Sequence, residues 1–441
     1  MFFKELPYSE SRQWLHRFGD EDKWVWLDRT SASETYEYVC FWPYSEQVLS
    51  YDQMSLATHY LRQGLLPLQP RLCHLPPFQG GCIGLWHYDA GVDLDIKRCD
   101  HPSICLRWYD VVMAWDHHQK RCFLVSTGAP EADLEKKAAR AQKRLDQALS
   151  WLALPYSIPT IDKPSLQFTE SLGRQGYIDG VKLAQQWIRS GHLFELNLTQ
   201  SWVAPRPSTW SSLSCYLDLR QKHQAPMSAY WSGNQAVLSF SPERFVQVTD
   251  GWIQTHPIKG TIQRHSDPII DQNNKDILKR STKDIAENAM IVDLMRHDLS
   301  LLCEPESVQV DGFCVVKTHA FVHHLVSSVK GRLIDPEWVV EVMARIFPAG
   351  SISGAPKAKA IELIDRLEAL PRGPYTGCLG VFSTSGDMDS SVLIRSVTVD
   401  DHHIACHAGG AVTLLSKPEE EYHEACVKAQ ALVEALSGES S

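Results

Sequence analysis

At 441 residues the chain exceeds the roughly 250–300 residues at which a single hydrophobic core stops growing, so two lobes or one large layered core are expected. With 44% hydrophobic and 22% charged residues it has the composition of a soluble globular protein, which argues against disorder, collagen-like repeats and membrane residence. A formal net charge of -10 argues against non-specific binding of nucleic acid or anionic membrane, so an anionic substrate would need a locally basic pocket.

The N-terminal MFFKELPYSE meets charge within four residues, and no later stretch reaches eighteen apolar residues. Neither a signal peptide nor a membrane span is predicted, and a cytoplasmic location is expected. From Trp24 to about Tyr109, short apolar runs such as Trp24-Val25-Trp26-Leu27 and Tyr36-Glu37-Tyr38-Val39-Cys40 alternate with Pro, Gly and Asp turns, which predicts a sheet-rich half. Residues 131–153 carry mixed charges with apolar residues at helical intervals, and a Pro-containing stretch from Pro155 to Pro164 follows. This places a lobe boundary near residue 160, dividing an N-terminal lobe, 1–160, from a region 161–441 that holds the chemistry. In the second half, 176–192 reads as a helix, and 193–204, 235–248 and 251–262 read as strands. No repeat of solenoid period occurs.

Twelve cysteines show no CxxC or paired Cys/His ligand spacing, so reduced and mostly buried thiols are expected. His423-Glu424 does not open a zinc-protease motif, because HExxH needs a second His where Val427 stands.

Two helical segments each present carboxylates three residues apart and on one face: Asp284 with Glu287, and Glu421 with Glu424. Oxygen-rich sets of this kind suit Mg²⁺, which takes one or two protein carboxylates and keeps several waters. The plain reading is exposed helical charge, with Ser281 and Ser416 opening capping boxes. Lys428 falls on the stripe of Glu421 and Glu424, two turns along. The segment Phe347 to Lys357, FPAGSISGAPK, looks like a loop of small residues opening a helix, where backbone N–H groups can approach an anion. It is not a nucleotide P-loop, since Ala355 follows Gly354. The second glycine-rich segment, His407 to Ala411, reads most simply as a turn. Arg395 sits in SSVLIRSVTV, a strand-like run in which it needs solvent or an anion. His323-His324 and Glu243 have plain readings as a core histidine pair and a strand-end acid.

In combination these strings resemble the chorismate-binding enzymes, the family of anthranilate, aminodeoxychorismate, isochorismate and salicylate synthases. SPERF at 241–245, PIKGT at 257–261, AENAMIVDLMRHD at 286–298, HHLVSS at 323–328, GSISGAPK at 350–357 and EYHEACVK at 421–428 look like the family's motifs in the family's order. PFQGGCIGLWHYD at 77–89 is similar to a pattern in the N-terminal part of the anthranilate and aminodeoxychorismate branches.

The resemblance implies an α+β fold with a layered core of two antiparallel β-sheets flanked by helices, and an active site between them. It implies that Glu287 and Glu424 hold Mg²⁺ against the ring carboxylate of chorismate, with Asp284 and Glu421 behind them, the Gly409-Gly410 segment seating that end and Lys428 adding charge. It further implies that Arg395, Tyr375 and backbone N–H groups near Gly377 grip the enolpyruvyl carboxylate, with His324 and Ser353 near the departing ring hydroxyl. Lys259, where anthranilate-forming relatives typically carry Ala, implies the aminodeoxychorismate-forming branch. There the lysine attacks C2 of the ring, Glu243 assists the leaving C4 hydroxyl, and ammonia then enters at C4. A separate glutamine amidotransferase subunit would supply the ammonia, because no such domain is appended. The rivals are an anthranilate-forming large subunit and a non-catalytic amino-acid-binding relative.

Four positions depart from the family's usual residues: Glu195 for Gln, His297 for Asn, Ser353 for Thr and Ala411 for a third Gly. Glu195 either hydrogen-bonds as Gln would or serves as a weak base toward water, as a Lys does at the matching position in isochorismate-forming relatives. Ala411 matters only where its backbone needs a positive φ.

Overall fold

The computed structural model describes residues 1–15, 17–19, 22–28, 35–154, 165–318 and 322–437. The lobe boundary expected near residue 160 falls at 155–164, outside the described residues.

Side chains that alternate along a strand point to opposite faces, and this period divides the apolar residues into three layers. In Val25–Leu27, Val25 and Leu27 join one buried cluster while Trp26 joins another. In Tyr36–Cys40 the same split separates Tyr38 and Cys40 from Val39, and in Gly81–Trp86 it separates Ile83 and Leu85 from Cys82 and Trp86. The shared cluster lies between two sheets, since Val25, Leu27, Val112 and Ala229 from one meet Ile83, Leu85, Leu379 and Val381 from the other. Helices cover both outer faces. Leu134–Leu152 turns Ala141, Leu145, Ala148 and Leu152 onto the first sheet, and Thr282–Ser300 turns Ile291, Val292, Met295 and Leu299 onto the second. Each fully buried leucine contributes roughly 1.5–3 kcal/mol, so packing rather than propensity holds these helices.

Among the described residues the strands form sheets of twelve, nine and three strands, with antiparallel pairing throughout. The α+β arrangement of two large antiparallel sheets flanked by helices is the one expected; the small third sheet was not. Each large sheet draws on both halves of the chain. Val25–Leu27 pairs with Met227–Trp231 in the first, and Gly81–Trp86 pairs with Cys378–Ser383 in the second.

Four local readings are corrected. Residues 235–248 and 251–262 are not single strands: Ala236–Ser241 and Arg244–Thr249 belong to the twelve- and nine-stranded sheets, and Trp252–Thr255 and Ile258–Gln263 to the nine- and three-stranded ones. SSVLIRSVTV is not one strand: Met388–Val392 belongs to the nine-stranded sheet and Ser396–Val399 to the twelve-stranded one. The chain changes sheet at Arg395, whose φ of 49° breaks the extended run. The segment His407 to Ala411 is not a turn; it lies inside the strand His403–Val412.

All twelve cysteines are free, and seven are buried. No helix among the described residues is long and apolar enough to cross a membrane.

Candidate active site

A cavity of about 960 Å³ is lined by strands of the twelve- and three-stranded sheets, by two helices and by the loops around Glu243 and Tyr375. Lys259 reaches it from Ile258–Gln263 of the small sheet because that strand is bulged. Ile258 pairs with Val326 and Thr261 with His324, so one extra residue is inserted, and Gly260 takes a φ of 78° within the bulge. A bulge re-aims the side chains beside it, and here it turns Lys259 into the cavity wall. Its amine lies 3.1 Å from Oε1 of Glu195, a carboxylate with no solvent exposure. Thr261 and the imidazole Nδ1 of His324, also on the wall, are 2.9 Å apart. His323, one residue earlier, is the core histidine, fully buried with Nε2 2.9 Å from Asp271.

Glu243 stands at the end of Ala236–Ser241, just before a second irregularity in pairing between Arg244 and Gln247. Its Oε1 accepts a hydrogen bond of 2.5 Å from the Ser351 hydroxyl. Burial pushes its carboxyl above the usual range, opposed by the Ser351 hydroxyl and the Lys259 charge. A carboxyl whose burial favours the neutral form in this way is suited to donate a proton.

Both carboxylate pairs line the cavity. Asp284 and Glu287 come from the helix Thr282–Ser300, which Ser281 caps by accepting from the Asp284 N–H at 3.3 Å; Glu421 and Glu424 come from the last helix, Pro418–Ser437. Burial raises the pKa of both Glu287 and Glu421, and the charge of Lys283, 3.9 Å from Glu287, opposes the rise at each. Lys428 binds Glu424 Oε1 at 2.7 Å and donates to the Gly409 carbonyl at 2.9 Å. A Cβ at Gly410 would lie 3.2 Å from Glu421 Oε2 and 3.6 Å from Glu424 Oε1, so the glycine leaves open the space these oxygens face. Among the described residues no three His, Cys, Asp or Glu side chains are grouped to hold a metal ion by themselves.

Arg395, Tyr375 and Thr376 also line the wall. The Tyr375 ring stacks on His407 with centroids 4.9 Å apart and planes at 12°. Burial pushes His407 down to about 3, so the imidazole is neutral, and its buried Nδ1 has no partner. Of the residues singled out from sequence, Ser353 and Gly377 do not reach the wall. The Ser353 hydroxyl is buried and donates to the Ala349 carbonyl, and the Gly377 N–H is spent on the Pro374 carbonyl. Behind the wall Arg372, which is 4% exposed, donates to Glu368 and to the carbonyls of Ile352 and Asn197. Glu368 in turn accepts from the Thr199 N–H and hydroxyl. This buried cluster ties the strand Glu195–Pro205 to the glycine-rich loop.

The remaining departures find their place. Ala411 pairs with Asn197 within a regular ladder and has no positive φ, so it does not need to be glycine. His297 is 71% exposed and lies off the cavity. Lys357 does not serve an anion site, because its amine is bound to Asp298 at 2.8 Å and to the Ile346 carbonyl.

The two glycines of the wall differ in what surrounds them. A Cβ at Gly409 would fall 2.0 Å from the Leu198 carbonyl oxygen, in the backbone of the neighbouring strand. Gly409→Ala is therefore expected to lose about 3 kcal/mol or more in denaturant unfolding, at the upper end for overpacking. Gly410→Ala meets only movable side-chain ends and should melt near the wild-type temperature while losing activity. Equal melting temperatures for the two variants would contradict this placement.

Comparison with known proteins bears on the same residues. Residues 23–434 match the family described as chorismate binding enzyme. Aminodeoxychorismate synthase component 1 of Klebsiella aerogenes is 36% identical over 399 residues, covering 87% of this chain and 83% of its own. Its counterpart in Escherichia coli is 34% identical, covering 82% and 78%. Anthranilate synthase component I of Streptococcus pneumoniae superposes with a TM-score of 0.80 at 26% identity, over 91% of this chain and 93% of that one. The menaquinone-specific isochorismate synthase of Escherichia coli shares the fold, with a TM-score of 0.75 over 99% and 94% at 20% identity. The motifs that furnish the cavity lie inside the matched span, and the chain belongs to the chorismate-binding enzymes.

Proposed function

We propose that the chain is the chorismate-aminating component of an aminodeoxychorismate synthase, converting chorismate and ammonia to 4-amino-4-deoxychorismate for p-aminobenzoate and folate synthesis. The observation that carries the reading is Lys259, aimed by its bulge into the cavity that the Glu243 acid and the carboxylate pairs also line. The names of the component 1 relatives support it.

Mg²⁺ fits the carboxylate pairs. The donors are all oxygens, burial raises Glu287 and Glu421 in a way a cation would relieve, and Gly410 leaves the space open. Glu287 and Glu424 would hold the ion, which would supply charge against the ring carboxylate of the substrate. The chain's own residues do the rest. Arg395 and Tyr375 take the enolpyruvyl carboxylate at the other end. Lys259 attacks C2 as Glu243 gives its proton to the departing C4 hydroxyl, and ammonia then bonds to C4 and displaces the lysine. His324, tied to Thr261 on the cavity wall, would lie near the hydroxyl that leaves. The ammonia would come from a glutamine amidotransferase subunit.

The test is product identification. The purified chain with chorismate, Mg²⁺ and ammonium salts is expected to form 4-amino-4-deoxychorismate, faster at higher pH as ammonium becomes ammonia. Glutamine should replace ammonium only when the amidotransferase subunit is added. Anthranilate as the product, or glutamine-dependent turnover by the chain alone, would refute the reading.

A further inference from the structure

We propose that Glu195 is a positioning residue for Lys259, holding the amine at the cavity wall and taking its proton as the nitrogen attacks. The inference rests on the covalent role of Lys259 proposed above.

Glu195 begins the strand Glu195–Pro205 and pairs there with Ala355. Its side chain is fully buried behind the wall and does not line the cavity, so it is placed to act through Lys259 rather than on a ligand. That placement excludes the water-activating reading of this position. Oε1 accepts from the Lys259 amine at 3.1 Å, while Oε2 is buried without a partner. An oxygen with no donor of its own is left free to receive a proton. Two other charges lie nearby: Glu287 of the helix Thr282–Ser300 interacts with both Glu195 and Lys259, and Glu243 interacts with Lys259. None of these is hydrogen-bonded to the amine, and Glu195 is.

At neutral pH a lysine carries a proton it must lose before its nitrogen can attack. The lysine N–C2 bond forms, the two ring double bonds shift, and the C4–O bond breaks. The ammonium proton passes to Glu195, and the hydroxyl leaves as water with the proton of Glu243. When ammonia bonds to C4, the double bonds shift back, the C2–N bond breaks, and Glu195 returns its proton to the lysine. Glu243 regains its own from solvent.

The experiment withholds ammonia and follows, by intact mass, the addition of chorismate less water to Lys259 between pH 6 and 9. Wild type should accumulate the adduct. Glu195→Gln should form it about tenfold more slowly at pH 7, with the deficit shrinking as pH rises and the KM for chorismate little changed. Should Glu195→Gln not fold, Glu195→Asp keeps the charge at a longer reach and should keep the wild-type pH profile at a reduced rate. Wild-type rate and profile in Glu195→Gln, or an unchanged rate in Glu195→Asp, overturn the proposal alone. A wild-type chain that forms no adduct overturns the covalent reading, and the proposal with it.

Discussion

Lys259→Ala is expected to lower 4-amino-4-deoxychorismate formation by on the order of 10³-fold or more, about 4 kcal/mol of transition-state stabilisation, and to abolish the adduct. Residual turnover should drift toward anthranilate, because ammonia would then meet C2 unobstructed. The structure adds a complication. Removing the lysine leaves the Glu195 carboxylate fully buried without its partner, and breaking a buried pair in this way costs about 3–5 kcal/mol of stability. Combining Lys259→Ala with Glu195→Gln removes both charges and should recover much of that loss while staying inactive. Chromatography of the products and denaturant unfolding of the three proteins separate chemistry from folding. An undiminished rate of the aminated product in Lys259→Ala would reduce Lys259 to a group that shapes the pocket.

The second large effect is at the carboxylate pairs. Glu287→Gln and Glu424→Gln should each cost on the order of 10²–10³-fold in activity, and excess chelator should silence the wild type. Folding should not suffer. Burial raises the carboxyl of Glu287 above its unfolded value, so the native state binds the proton more tightly. Its contribution to stability therefore falls as pH rises from the unfolded pKa through the folded one, and at neutral pH the charge is a burden that Gln removes. A melting temperature equal to or above wild type is expected for Glu287→Gln. Full activity of either variant, or in chelator, would take these residues out of a metal site.

Local patterns carried much of this structure and long-range ones little. The helices Leu134–Leu152 and Gly173–Arg189 were legible because burial on one face leaves a period in the residues, whereas the break of 235–248 into Ala236–Ser241 and Arg244–Thr249, in different sheets, was not. The change of sheet at Arg395 was not, since Val392 and Val397 are buried in either sheet and positive φ at an arginine leaves no mark. Gly409 and Gly410 read as a turn because glycine usually marks one; here the close approach of strand and acid requires it. The carboxylates of the cavity were found by their i, i+3 spacing. Lys283 was within reach of the same reasoning, four residues before Glu287, but the Glu195 to Lys259 pair joins residues 64 apart and has no local signal. Gly377 and Ser353 were placed by likeness alone, and the hydrogen bonds that occupy them depend on turns no pattern specifies.

The interleaving of the two large sheets has a consequence for how the molecule comes into being. Gly81–Trp86 waits for Cys378–Ser383, and Val25–Leu27 for Met227–Trp231, so most of the chain must leave the ribosome before either sheet can be completed. Until then the early strands present unpaired edges and apolar faces, the condition in which nascent chains aggregate. Pairings this distant in sequence also make for slow folding, because the entropy of closing long loops is lost before the contacts form. A fragment that stops short of His403–Val412 lacks the strand that walls the cavity with Gly409 and Gly410.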